Sequence, residues 1–286
     1  MAVLRDRVSS SFTRGPAAVV LCVVSLATIT PPAHGEPIKL FLFAGQSNMV
    51  GGAGLEMLEV VEGSMLAPNE NVLYTFHINN TEDPDGWGPL VHALGVVGGS
   101  TWGPDLVFGN LHDRLRPNEK IAVIKTAVSG TSLGEDWLPG SGPKLAQSLE
   151  FLSRAIPSLE ALGYEVEPAG IFWVQGFADG GWDYLANVYG ENLTNLAATF
   201  RAALGRADTP FFFSRQHVSS KRPAANLATQ RSQQEAVAAA DPNTHLIDID
   251  DLDFRDDNVH YDRMGTYLIG TRFLERYFEL TPSSDP

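Results

Sequence analysis

Two short stretches of this chain hold side chains able to perform nucleophilic chemistry together. Gly45-Gln46-Ser47-Asn48-Met49 supplies a hydroxyl, and Asp257-Asn258-Val259-His260 supplies a carboxylate and an imidazole three residues apart. A serine hydroxyl is a poor nucleophile until a base takes its proton during attack, and histidine has the pKa for that work. A carboxylate on the second ring nitrogen fixes the tautomer and stabilises the imidazolium. Asp257 and His260 face the same way if their segment is a turn or a helix start. Ser47 sits where a helix would place backbone N–H groups against a developing oxyanion. Two further donors are the backbone N–H of Gly130, in Ser129-Gly130-Thr131-Ser132, and the side-chain amide of Gln175, in Gln175-Gly176. These are the parts an acyl-transfer site needs, with Ser47, Asp257 and His260 as reacting groups and Gly130 and Gln175 as donors to an oxyanion.

These groups must be carried to one place by elements far apart in the chain. Ile38 to Ala44, Lys120 to Val128, Ala169 to Gln175, Pro210 to His217 and Thr244 to Ile249 are short apolar runs, as strands buried on both faces require. Helical periodicity falls between them, over residues 105–116, 144–162, 185–204, 226–240 and 263–278. Strands separated by such helices build a parallel sheet with right-handed crossovers, which places helices on both faces. The expected fold is a three-layer α/β/α sandwich of flavodoxin-like type with about five parallel strands. The stretch from Gly51 to Thr101 is irregular and reads as elaborated loops over the site. Ligands of open parallel sheets collect at the carboxyl ends of the strands, which is where each candidate residue falls. Spacing alone fits a hydrolase and an α/β binding protein equally.

Composition narrows the partners. A formal net charge of −14 disfavours nucleic acid and anionic membrane, both of which call for a basic stripe. The acidic balance also leans toward a neutral substrate over an anionic one. Arg5, Arg7 and Arg14 precede an apolar run from Ala17 to Thr30 and a small-residue end at Ala33-His34-Gly35. That order predicts a secretory signal peptide over 1–35, a mature domain over 36–286, and a secreted or periplasmic protein with no membrane attachment after cleavage. The single cysteine, Cys22, lies within the signal, so no disulfide framework or thiolate zinc cage is available. No histidine pair has metal-ligand spacing, and the aspartates between 248 and 257 do not follow a calcium-loop order, so no metal or other cofactor is expected.

Four segments together resemble the SGNH-hydrolase superfamily, in its branch of carbohydrate O-acetylesterases that includes sialate O-acetylesterases and acetylxylan esterases. Phe43-Ala44-Gly45-Gln46-Ser47-Asn48-Met49 looks like the nucleophile block. Ala127 to Leu133, with Trp137 beyond it, looks like the second block. Trp173-Val174-Gln175-Gly176-Phe177-Ala178-Asp179 looks like the third, and Asp257-Asn258-Val259-His260-Tyr261 like the last. The resemblance runs from about Ile38 to Phe278. It implies a Ser47–His260–Asp257 triad, oxyanion donors at Ser47, Gly130 and Gln175, and an acetylated carbohydrate as substrate. Gln46, Asn48, Thr131, Trp137 and Phe177 are the candidate substrate-binding residues. Val174 and Phe177 stand where the branch carries a histidine and a glutamate, which bears on substrate choice. A lipid or thioester hydrolase on the same scaffold, or a non-catalytic carbohydrate-binding relative with Phe177 filling the pocket, are the alternatives.

Overall fold

The computed structural model describes residues 35–52, 65, 67–83, 86–91 and 102–282. Of the segment expected as a signal peptide, residues 1–34 lie outside the described residues, as do residues 53–64, 66, 84–85 and 92–101 of the stretch expected to form loops over the site.

Each expected strand forms. They are β1 (Glu36–Gly45), β5 (Ile121–Ala127), β6 (Tyr164–Val174), β7 (Phe211–Ser214) and β8 (Thr244–Ile247), and they lie parallel in the order β5-β1-β6-β7-β8. Counted in chain order this is 2-1-3-4-5, the flavodoxin-like arrangement. A sixth parallel strand, β2 (Asn69–Ile78), joins the outer edge of β5. It carries two short antiparallel strands, β3 (Thr81–Glu82) and β4 (Gly88–Leu90). The sequence expectation missed β2 because scattered Gly and Pro surround it. Its Val72, Tyr74 and Ile78 are nevertheless buried, as a sheet strand demands.

Side chains of β1 alternate between two cores, since successive Cβ atoms of a strand point to opposite faces. Phe41 and Phe43 enter one core, against α2 (Pro104–Leu115) and α7 (Arg263–Leu280). Leu40, Leu42 and Ala44 enter the other, against α3 (Pro143–Ala161) and α5 (Tyr189–Ala203). The first core is an aromatic stack: Phe172 lies flat between Phe43, at 4.5 Å between centroids, and Phe212, at 4.9 Å. The expected helix over 185–204 is broken, with a short α4 (Asp183–Ala186) preceding α5. The last crossover helix, α6 (Ala224–Ala240), packs beside α5 and β8. Strand order reverses at β1, so the carboxyl ends of β5, β1 and β6 adjoin, and the first three candidate segments converge there.

Candidate active site

Ser47 opens a single helical turn, α1 (Ser47–Val50), straight from the end of β1. Two glycines make so abrupt a turn possible. Gly45 has φ +148° and Gly51 has φ +85°; a Cβ at either would collide with a main-chain carbonyl, of Val174 or Trp102 respectively. Met49 and Val50 donate their N–H groups back to the Gln46 carbonyl and Gly51 donates to that of Ser47. The helix is one turn long, so the main-chain N–H of Ser47 matters here and a helix dipole does not.

His260 arrives on the loop between β8 and α7, which is pinned by the Phe254–Tyr261 bridge and by the Arg255 N–H on the His260 carbonyl, 2.9 Å. Its Nε2 lies 3.0 Å from Ser47 Oγ and its Nδ1 lies 2.8 Å from Asp257 Oδ2. An ionised carboxylate can only accept, so Nδ1 bears the proton and the Nε2 lone pair faces the serine. Oδ1 of Asp257 accepts the N–H groups of Val259 and His260, each at 2.9 Å. Partial burial raises the Asp257 carboxyl, but these N–H groups and the imidazole outweigh it and hold the pKa at about 2. Asp257 therefore stays ionised. Asn258 takes the left-handed conformation, φ +54°, that closes this tight Asp-x-x-His turn. Asn48 joins the two halves: Nδ2 donates to the Val259 carbonyl at 3.1 Å and Oδ1 accepts the Tyr261 N–H at 3.2 Å.

Gly130, φ +76°, turns the loop after β5 and lines the same cleft as Ser47. Side chains from several segments fix this loop. Asn79 Oδ1 accepts the Ser129 N–H at 2.8 Å, and the buried Asp179 accepts those of Leu133 and Gly134, both at 2.9 Å. Among the described residues no hydrogen bond occupies the N–H of Ser47 or Gly130. Burial raises the Asp179 carboxyl, against the pull of its donors. A cleft of about 500 Å³ opens over Ser47, walled by Gln46, Gly130, Phe177, Arg222, Arg255 and His260.

Residues 37–279 match the family of carbohydrate esterases described as sialic acid-specific acetylesterases. The chain belongs to that family. Known structures with the same fold include a protein from Arabidopsis thaliana, 20% identical, TM-score 0.67, covering 85% of this chain and 99% of that one. NanS is 16% identical, TM-score 0.61, covering 87% and 99%. A carbohydrate acetylesterase from Xanthomonas citri is 16% identical, TM-score 0.59, covering 84% of this chain and 56% of that one. Among curated protein sequences, none matches this one.

The fold of this acetylesterase-family protein gives the expected site residues different surroundings. Gln175, expected as an oxyanion donor, is buried, and its Nε2 donates to Asp179 Oδ2 at 2.6 Å and to the Thr131 carbonyl at 3.1 Å. It braces the Gly130 loop from behind. Trp137 and Thr131 do not line the cleft. Trp137 is fully buried, packed edge-on against Trp173, and its Nε1 donates to Thr131 Oγ1, which itself donates to the Val128 carbonyl. Gln46, Asn48 and Phe177 do line the cleft, although both ends of the Asn48 amide are committed to the histidine loop. Phe177 does not fill it: the ring lies against the wall, stacked at 5° on His217. Two residues were missed. Asp179 had a signal, standing four residues past Gln175. Arg222, whose guanidinium sits 3.9 Å above the Phe177 ring while Nε donates to the Phe177 carbonyl at 2.7 Å, had none. The acidic run after β8 is mostly ion-paired surface, with Asp250 on Arg231 and Asp251 on Arg272.

Among the described residues no cluster of three or more His, Cys, Asp or Glu could hold a metal ion, and no helix is long and apolar enough to cross a membrane.

Proposed function

We propose that the protein is a secreted serine esterase that removes acetyl groups from carbohydrates through an acetyl-enzyme on Ser47. The observation that carries this reading is the relay from Ser47 Oγ through His260 to Asp257, at 3.0 and 2.8 Å, on the floor of an open cleft. Ser47 Oγ attacks the acetyl carbonyl carbon while His260 Nε2 takes its proton. The oxyanion is received by the Ser47 and Gly130 N–H groups, the kind of donor worth about 10²–10³ in rate. The C–O bond to the sugar then breaks, and His260 returns the proton to the leaving hydroxyl. Water, deprotonated by the same imidazole, hydrolyses the acetyl-serine to acetate and free serine. Asp257 stays ionised throughout, orienting the ring and stabilising its cation.

Cleft charge refines the substrate. Arg222 has no carboxylate partner among the described residues, and Arg255 stands on the same wall, so two guanidinium groups line the cleft although the whole chain is acidic. This favours acetylated sugars bearing an acid group over the neutral substrate suggested by net charge, and it is in keeping with the sialic acid-specific family description. The basic, apolar and small-residue order of residues 1–35 supports export. Acetate release from O-acetylated sialic acid, acetylated xylan and simple acetate esters tests the activity. Wild-type protein is expected to release acetate and Ser47→Ala to release none; release by Ser47→Ala at the wild-type rate overturns the reading.

A further inference from the structure

A charged side chain stands in the middle of β5, on the strand face that packs into the aromatic core. Lys125 is 1% exposed and lies in register between Phe43 of β1 and Phe76 of β2. Its Nζ makes two bonds: to Asp105 Oδ1 at 2.6 Å, in the first turn of α2, and to the main-chain carbonyl of Val50 at 3.0 Å. Val50 is the last residue of α1, the turn that Ser47 begins. Tyr74, fully buried on β2, donates its hydroxyl to the other carboxylate oxygen, Asp105 Oδ2, at 3.1 Å. Burial and the adjacent carboxylate hold the Tyr74 phenol well above its usual pKa, so it remains a donor. Gly103, just before α2, leaves the room this needs, because a Cβ there would press on the Met49 carbonyl, Asp105 and Lys125 together.

An ion pair this deep is a poor means of gaining stability, since desolvating two charges cancels most of their attraction and a well-packed apolar pair often does as well or better. A lysine kept in an otherwise apolar strand, with one proton spent on the nucleophile turn, has a geometric consequence. The last carbonyls of a helix are left without intrahelical partners, and in a one-turn helix that end lies only three residues from the reacting oxygen. We propose that Lys125, held by Asp105 and Tyr74, is a positioning residue that fixes the nucleophile turn at the height where Ser47 Oγ meets His260. The turn is then tied from two sides: by Asn48 to the histidine loop and by Lys125 to β5 and α2. Without the Lys125 tie, the Val50 end of the turn is free to lift away from the sheet, and Ser47 with it.

This rests on Ser47 being the nucleophile, and the experiment separates the two claims. Lys125→Met alone strands the Asp105 carboxylate, so the informative variant is the neutral pair Lys125→Met with Asp105→Asn. Arg201→Met is the control; it breaks a partly buried ion pair to Asp241 and a bond to the Thr209 carbonyl at the opposite edge of the sheet. Melting temperature, kcat and KM for p-nitrophenyl acetate, and the rate of fluorophosphonate labelling are measured on each. Displacement of a reacting group by about an ångström can cost about a hundred-fold, so a partial shift predicts kcat and labelling down by at least about ten-fold with KM changed by less than about two-fold. The control is expected to lose melting temperature and keep kcat. If the folded neutral pair labels and turns over at the wild-type rate, or if the control loses kcat equally, Lys125 is merely structural. If wild-type protein itself is not labelled, the nucleophile assignment fails instead.

Discussion

Asp179→Asn isolates the brace behind the Gly130 loop. The carboxylate accepts three protons in a site closed to water: Gln175 Nε2 at 2.6 Å and the Leu133 N–H at 2.9 Å on Oδ2, and the Gly134 N–H at 2.9 Å on Oδ1. Asparagine keeps the shape but has one acceptor oxygen. Placed where Oδ2 was, that oxygen retains Gln175 and Leu133 and turns an NH2 toward the Gly134 N–H. Turned the other way, it retains only Gly134 and strands two donors. The first arrangement loses least, and one orphaned buried donor costs about 1–3 kcal/mol. That is a sizeable share of the roughly 5–15 kcal/mol that holds a typical domain folded. Urea denaturation of Asp179→Asn should therefore show a lower midpoint with an unchanged slope. Gly134 is only four residues from Gly130, so the loss also reaches the proposed oxyanion donor. We expect kcat toward an acetate ester to fall by about ten-fold, short of the 10²–10³ lost when an oxyanion donor is removed outright. A variant with wild-type denaturation midpoint and wild-type kcat would refute the brace.

Two further outcomes follow from groups at the cleft and in the core. Arg222→Met keeps the packing over Phe177 and deletes the charge; KM for an acetylated acidic sugar should rise about ten-fold, as loss of one charge-assisted bond allows, with p-nitrophenyl acetate kinetics unchanged. Equal effects on both substrates would remove Arg222 from acid-group recognition. His112, enclosed by Phe41, Phe108, Tyr277 and Phe278, is held neutral by burial, which outweighs nearby Glu119 and lowers its pKa from 6.5 to about 4. Between those values the unfolded chain binds the proton and the folded one does not, so stability present above pH 6.5 is lost as pH falls toward 4, by up to about 3 kcal/mol for this group. The melting temperature should decline across that window and less steeply in His112→Phe; identical slopes for the two proteins would contradict this.

The sequence was most legible where one physical constraint acts alone. Runs such as Leu40 to Ala44 and Ile121 to Ile124 are apolar because both faces of a central parallel strand are covered, and that pattern needs no partner to be read. Ser47 was readable as a candidate because it lies just past a strand end, and Asp257 and His260 because they share the long loop beyond the last strand. What escaped depended on contacts between distant segments. Trp137 and Phe177 looked alike as aromatic residues near a site, yet one is locked beneath Thr131 and the other lines the cleft wall. Gln175 was readable as a donor, but that its amide rests on Asp179 and the Thr131 carbonyl is set only by folding. Arg222 lies between β7 and α6 with no motif around it, and only folding sets it over Phe177. Net charge sums the whole surface, while recognition answers to the few charges at the cleft.

Ser47 as the nucleophile is tested most directly by covalent capture. Purified protein is treated with a fluorophosphonate, digested, and the adduct is located by mass spectrometry in wild type, Ser47→Ala and His260→Ala. The relay of 3.0 and 2.8 Å predicts a single adduct on Ser47 in wild type, none in Ser47→Ala, and labelling in His260→Ala slowed by orders of magnitude. An unmodified wild-type protein, or an adduct that persists in Ser47→Ala, would contradict it.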